Sequence, residues 1–410
     1  MQDAVFGFNE WTLTTVSWVC YFLALLSFIG LLVAQAARVS RERVVAREAV
    51  DFGGVQPAFA FATSGGAGGG AGAATLTLGG GRGVPERRRA LESAATEVVP
   101  PMRGAARTFG RAGLGFTILG VASLGTGLVM RALGSGHIPY MSLYEICLML
   151  TFGISLAYLL IFELWLKARV IGAFTLLFVY LIESYALLLI PPDLKTAAPL
   201  VPALQSSWLP IHVSMAIIAY SCFALAAGAA VVYLLKYHEA GSWTRSLPSL
   251  AAIDEFMFRA VTVGFPFQTL LLITGAYWAQ TAWSKAWSWD PKEDWALITW
   301  LAYAAFLHVR VQRGWRGNTV AWMALSGFAL VMVTFIGVNY LVSWFQLDSM
   351  HAYAGEMPGF LGFGIFGVVL VALLGGIGWG EVRRRRLAAA GRARHAVRVS
   401  EAETTGTQQS

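Results

Sequence analysis

Six tryptophans, Trp278, Trp283, Trp287, Trp289, Trp295 and Trp300, fall within 23 residues around the polar knot Asp290-Pro291-Lys292-Glu293-Asp294. An indole offers a wide, flat apolar face and one N–H donor, so several side by side suit a large planar partner. The competing reading is an aromatic belt at a membrane–water boundary. A belt needs one or two Trp per helix end, spread around the protein, and concentration about one polar knot favours a site. Three histidines bear on the same chemistry. His212 follows Trp208-Leu209-Pro210, His351 lies in Ser349-Met350-His351-Ala352-Tyr353-Ala354-Gly355, and His308 sits within an apolar run. Two neutral imidazoles on opposite faces of a planar iron macrocycle make a sound axial pair. An interfacial His also serves simply as an amphipathic residue, and the residue types leave both readings open. An ionisable residue inside a membrane span is a functional candidate by default. For His308 the nearness of Arg310 keeps an interfacial role in play. His137, His238 and His395 read as bystanders.

The elements that must position these residues are membrane helices. The chain has 410 residues, 57% hydrophobic and 13% charged, with mean hydropathy +0.61; a soluble domain carries about 25% charge. The fold class expected is all-α, a polytopic membrane protein. Apolar runs that can cross the hydrocarbon need about 20 residues. Nine are read, at 14–35, 112–131, 142–165, 170–190, 211–235, 260–278, 296–310, 319–342 and 359–380, the seventh being short and its start falling within the Trp-rich segment. The second and ninth are Gly-rich, which suits close helix contact in lipid.

With the N-terminus outside, 26 of the 30 Lys and Arg fall in segments facing the cytoplasm, leaving Arg131, Lys195, Lys285 and Lys292 outside. This bias gives N-out, C-in. It also puts His212, His351 and the Trp-rich loop on one outer face. The net charge of +7 lies in the gaps between apolar runs and signals no nucleic-acid partner. Cys20, Cys147 and Cys222 fall inside apolar runs without a C-x-x-C, so disulfide exchange and a Cys-based metal site are not expected. No Lys or Arg precedes the first apolar run, which argues against a cleavable signal peptide.

The organisation expected is an N-terminal anchor (1–37), a flexible basic Gly/Ala-rich cytoplasmic linker (38–111), a membrane core (112–358) with an external loop at 278–300, a last span (359–380) and a basic tail (381–410). The linker cannot bury a core. Arg383 to Arg386 read as an anchor to anionic lipid.

The string W-S-W-D-P-K-E-D-W-A-L-I-T-W-L-A-Y-A-A-F-L-H-V-R from Trp287 to Arg310 resembles the WWD domain of the haem-handling proteins of cytochrome c maturation. Within that superfamily it looks most like the CcsA/ResC proteins of the system II pathway. The likeness takes in His212-Val213-Ser214 with Ser221, Met141 to Glu145, and His351 to Gly355, and spans roughly 112–358. Two departures stand out: Ser284 and Ala286 occupy positions where the family commonly has Gly and Tyr, and Ser349-Met350 replaces a small Gly-Leu pair.

The resemblance implies that His212 and His351 ligate haem iron outside the membrane. It implies that His308 helps receive haem from the inner side, with its partner histidine on a separate ResB-type subunit. The cofactor-binding set expected is His212, His351, His308, Trp278, Trp283, Trp287, Trp289, Asp290, Lys292 and Trp295. The three histidines are the metal ligands. Lys292 has two readings, pairing a haem propionate or pairing the acids of its own loop. The implied ligand and substrate is haem b. The implied function is that of a membrane subunit of a holocytochrome c synthase in the bacterial plasma membrane, presenting haem to apocytochrome c C-x-x-C-H segments. A thioredoxin-type reductant is needed, because this chain brings no thiol pair. Two alternatives are carried: a haem exporter or chaperone without ligase activity, and a polytopic transporter that holds no haem.

Overall fold

In hydrocarbon every backbone N–H and C=O must be satisfied within the protein, so long apolar runs fold as helices. The structure is a computed structural model and describes residues 9–53, 100–161, 172–196, 205–238, 244, 247–338, 342 and 349. Among these there is no strand. Eight long helices follow in order: α1 (Glu10–Gly53), α2 (Pro100–Ser135), α3 (Leu143–Tyr158), α4 (Gly172–Ser184), α5 (Trp208–Tyr237), α6 (Leu250–Trp283), α7 (Pro291–Gln312) and α8 (Asn318–Met332). A π-helical turn extends α4 over Tyr185–Leu189, and another extends α8 over Val333–Gly337.

Seven of these helices are long and apolar enough to cross a membrane. The eighth, α7, has 22 residues, enough for about 33 Å of helix. Its polar first turn lowers its average hydropathy, which is why the sequence made it look short. The ninth expected span and the tail lie outside the described residues. So does most of the expected linker. Within that linker α1 continues to Gly53 and α2 already begins at Pro100, so helix reaches into it from both sides. The expected external loop is also shorter than drawn. Trp278 and Trp283 belong to the end of α6 and Trp295 and Trp300 to α7, leaving 284–290 outside helix.

Helix α5 is the centre of the bundle. It is apolar all round, as a fully enclosed helix must be. Ala224, Ala226, Ala227, Ala229 and Ala230 are wholly buried against its neighbours α3, α4, α6 and α8. Helices α1 and α2 form a close pair beside α3 and α4. The Gly-rich character read in the second span serves that pairing. The Tyr21 ring lies across Gly120, where an added Cβ would come within 2.8 Å of it.

Two polar clusters mark the ends of the bundle. At one end Arg131 reaches Glu145 (2.6 Å), Glu10 (2.5 Å) and the Lys195 carbonyl (2.8 Å), which fastens α1, α2, α3 and the turn after α4. The Ser142–Glu145 capping box, read earlier only as a family element, starts α3 there. At the opposite end the buried Asp254 and Arg310 pair at 2.6 Å. Asp254 also accepts the Gly317 N–H at 2.8 Å, so α6, α7 and α8 are joined.

Candidate functional site

Asp290 begins α7. Its buried side chain accepts from the Lys292 N–H at 2.9 Å, and Pro291 fills the first helical position. Glu293 turns back to accept from the Asp290 N–H (3.2 Å) and the Ser288 N–H (2.8 Å). The knot is therefore a capping box that also ties down the preceding loop. An Asp followed by Pro and, three residues on, by Glu is the sequence signal for this arrangement, and reading the segment only as a polar knot missed it.

The loop before it holds two non-glycine residues in the left-handed region, Ser284 (φ 58) and Trp289 (φ 56). Ser284 follows the last residue of α6, where glycine is the favoured helix terminator. That accounts physically for the Gly commonly found there in the resembling family. Trp289 is bulky in a conformation that costs its backbone energy. It stands 73% exposed, edge-on to Trp287 at 6.1 Å.

Between the start of α5, the end of α6 and the start of α7 lies an open cleft. His212, Trp287, Lys292 and Glu293 line it, with Tyr220 and Phe335 adding aromatic walls. Gly275, Ala276, Ala286 and Ala296 keep it open by being small.

His212 is held by two features of α6. Its Nδ1 lies 3.0 Å from the Leu271 carbonyl. A carbonyl only accepts, so Nδ1 carries the proton and Nε2 carries the lone pair, the tautomer a metal ligand needs. The ring also lies against Gly275, where an added Cβ would come within 2.7 Å of Cε1. Sequence reasoning missed Leu271 and Gly275, because a carbonyl partner and a missing side chain have no local signature. Trp278, buried, has its ring 5.9 Å from His212, and Trp283 lies edge-on to Trp278 at 5.1 Å.

Lys292 precedes the expected span of α7 and is half-buried. Burial pushes its ammonium down to about 8, with Asp290 opposing the shift. Burial and the carboxylates of Glu293 and Asp290 push Asp294 up.

The structure thus brings together His212, Trp278, Trp283, Trp287 and Lys292. Asp290 is turned to its own helix. Trp289 projects outward, and Trp295 lies outside the cleft lining, its carbonyl accepting from Thr299 (2.8 Å) and Thr334 (3.1 Å). Trp300 packs on Phe265 and donates to Thr269 at 2.9 Å. His308 is exposed on the far part of α7, about 26 Å along the helix from Pro291. His351 lies outside the described residues.

Residues 140–345 match the family model described as cytochrome C assembly protein. The chain is 36% identical over 249 residues to "Cytochrome c biogenesis protein CcsA" of Guillardia theta, covering 56% of this chain and 82% of that one. It is 38% identical over 238 residues to the protein of the same name from Prochlorococcus marinus subsp. pastoris (52% and 76%). It is 34% identical over 265 residues to that from Porphyra purpurea (55% and 83%). The matched stretch contains the whole described cleft, from α3 through the turn after α8. A multi-pass membrane protein with a role in cytochrome c biogenesis, this chain belongs to the CcsA family of cytochrome c assembly proteins.

Proposed function

We propose that this chain is the haem-handling subunit of a system II cytochrome c synthase in the bacterial plasma membrane. It receives haem b on the His308 side and holds it in the outer cleft for attachment to apocytochrome c. The observation that carries this reading is the Nδ1–Leu271 hydrogen bond of His212, which puts the ring's lone pair on Nε2 in a side chain that lines the cleft. His351 is the second axial ligand. Trp287 and the Trp278–Trp283 pair supply flat apolar walls, and Lys292 offers a cation to a propionate.

His308 shares one face of α7 with Ile298 (40% exposed) and Leu301 (53% exposed). An exposed imidazole on an otherwise apolar membrane face is costly unless another subunit covers it. That supports a ResB-type partner carrying the companion ligand.

In the attachment step each cysteine thiol of the C-x-x-C-H segment adds across a haem vinyl group. The S–C bond forms, the thiol proton goes to the other vinyl carbon, and no net redox change occurs. The chain's contribution is positioning of two thiols against two vinyls. The thiols must arrive reduced, from a thioredoxin-type partner.

The test is the absorption spectrum of the purified complex with its ResB-type partner, wild type against His212→Ala and His351→Ala. Sharp reduced-haem bands in the wild type, lost or shifted in each variant, are expected. A haem-free wild type with haem supplied would sink the proposal. Bands without thioether product, when apocytochrome c and reductant are added, would leave a haem chaperone rather than a synthase.

A further inference from the structure

Away from the cleft, Glu183 is a fully buried carboxyl inside the bundle. It lies in the last turn of α4, immediately before Ser184 and the π-helical turn Tyr185–Leu189. Such turns recur at functional positions. Ser17 of α1, also fully buried, has its Oγ 2.5 Å from Glu183 Oε1 and 2.7 Å from the Thr14 carbonyl oxygen. A hydroxyl has one proton to give, and a backbone carbonyl can only accept. With the Ser17 proton on Thr14, the short contact to Glu183 requires a proton from the acid. The other carboxyl oxygen, Oε2, is buried without a hydrogen-bond partner. Among the described residues, the titratable groups acting with Glu183 are Cys20 and Tyr21 of α1 and Tyr144 of α3, none of them a cation. Arg131 and Lys195 lie over the Tyr144 ring, Arg131 engaged by Glu10 and Glu145 and Lys195 donating to the Leu187 carbonyl. A bare carboxylate in such surroundings would be strongly disfavoured.

We infer that Glu183 is a proton-binding site inside the helix bundle, and that its proton fastens α1 to α4. The neighbouring pair repeats the connection, since Trp18 Nε1 donates to Ser184 Oγ at 2.8 Å. Helix α1 lies outside the stretch matched by the family model, and Glu183 lies inside it. The proton therefore sits at the contact between the matched stretch and a helix outside it. Ionisation would leave one charged oxygen with no donor, so loss of the proton and loosening of α1 are coupled.

Infrared difference spectra of the full-length chain in native membranes, wild type against Glu183→Gln, test this at neutral pH. The expected result is a carbonyl stretch of a protonated carboxylic acid that the Gln variant lacks. Glutamine is neutral and of similar shape, so the variant keeps the fold. As a second readout, a hydrophobic carbodiimide reacts with buried protonated carboxyls, the acid O–H adding across a C=N bond. The peptide containing Glu183 should be labelled at neutral pH, and at least tenfold less in Glu183→Gln. Ser17→Ala should shift the carbonyl band, because the acid loses its acceptor. Absence of the band and of the label at neutral pH, or their appearance only in acid, overturns the proton site. An unshifted band in Ser17→Ala overturns the link to α1.

Discussion

At one end of the α6–α7 pair Asp254 and Arg310 are buried together at 2.6 Å, and the Gly317 N–H takes the second carboxylate oxygen. At the other end Lys292 lines an open cleft, and the Asp290 beside it is spent on capping its own helix. The same two helices are thus locked where their charges are paired and parted where small side chains, Gly275, Ala276, Ala286 and Ala296, hold the walls back. The difference teaches how a bundle keeps a cleft open without losing its frame. Helix direction is set at the closed end by satisfied charge, so the far end can leave space unfilled.

The largest effect should come from unlocking the closed end. Removing one partner of a buried ion pair strands the other charge and costs about 3–5 kcal/mol. Arg310→Met should lower the thermal midpoint of the detergent-solubilised protein sharply. The double variant Asp254→Leu/Arg310→Met should recover much of the loss, since no charge is left unpaired. A single variant that melts like the wild type would show that the pair does not set the frame.

At the open end Gly275→Val should act on binding rather than on folding. Its Cβ would meet the His212 ring, driving it from the Leu271 carbonyl. Losing that hydrogen bond is worth roughly 1 kcal/mol, hence several-fold in haem occupancy. Equal haem content in the variant and wild type would show that α6 does not orient the ring.

Asp290 comes next. As an N-cap its replacement by Ala should cost about 1 kcal/mol of stability, and Asp290→Ser should restore most of it. As a direct ligand contact it would instead lose haem in both variants at unchanged stability. Comparing melting and haem content across the two substitutions separates the roles.

The smallest effect concerns Lys292. Its ammonium, pushed down to about 8, is charged below that pH and neutral above it. If it holds an anionic group of the ligand, haem affinity should fall a few-fold as pH rises through 8 and flatten beyond. Binding of the anion would itself raise the value and move the fall upward. Lys292→Met should bind more weakly at low pH and remove the slope between pH 7 and 9. Persistence of the slope would assign it to another group.

Much of this molecule could be read from the sequence. Apolar run length marked eight of the helices seen, because a backbone in hydrocarbon has no alternative to helix. The Trp-rich segment and His212 were legible as chemistry because Trp clusters and interfacial His are rare enough to stand out. Some local roles were hidden because one residue type serves two ends. Asp290 and Glu293, read as a polar knot, also start a helix. Trp300 looked like part of the cluster and turned to Phe265 and Thr269.

By itself the sequence determined that the chain is a multi-pass helical membrane protein and which family it belongs to. These follow from local properties: hydropathy over a span length and a motif contiguous along the chain. Only the tertiary structure decided which tryptophans face His212, which ring nitrogen bears the proton, that Gly275 makes room for the ring, and that Glu183 meets Ser17 across 166 positions of sequence. Those depend on which faces of separate helices meet, and no periodicity within one helix specifies what packs against it.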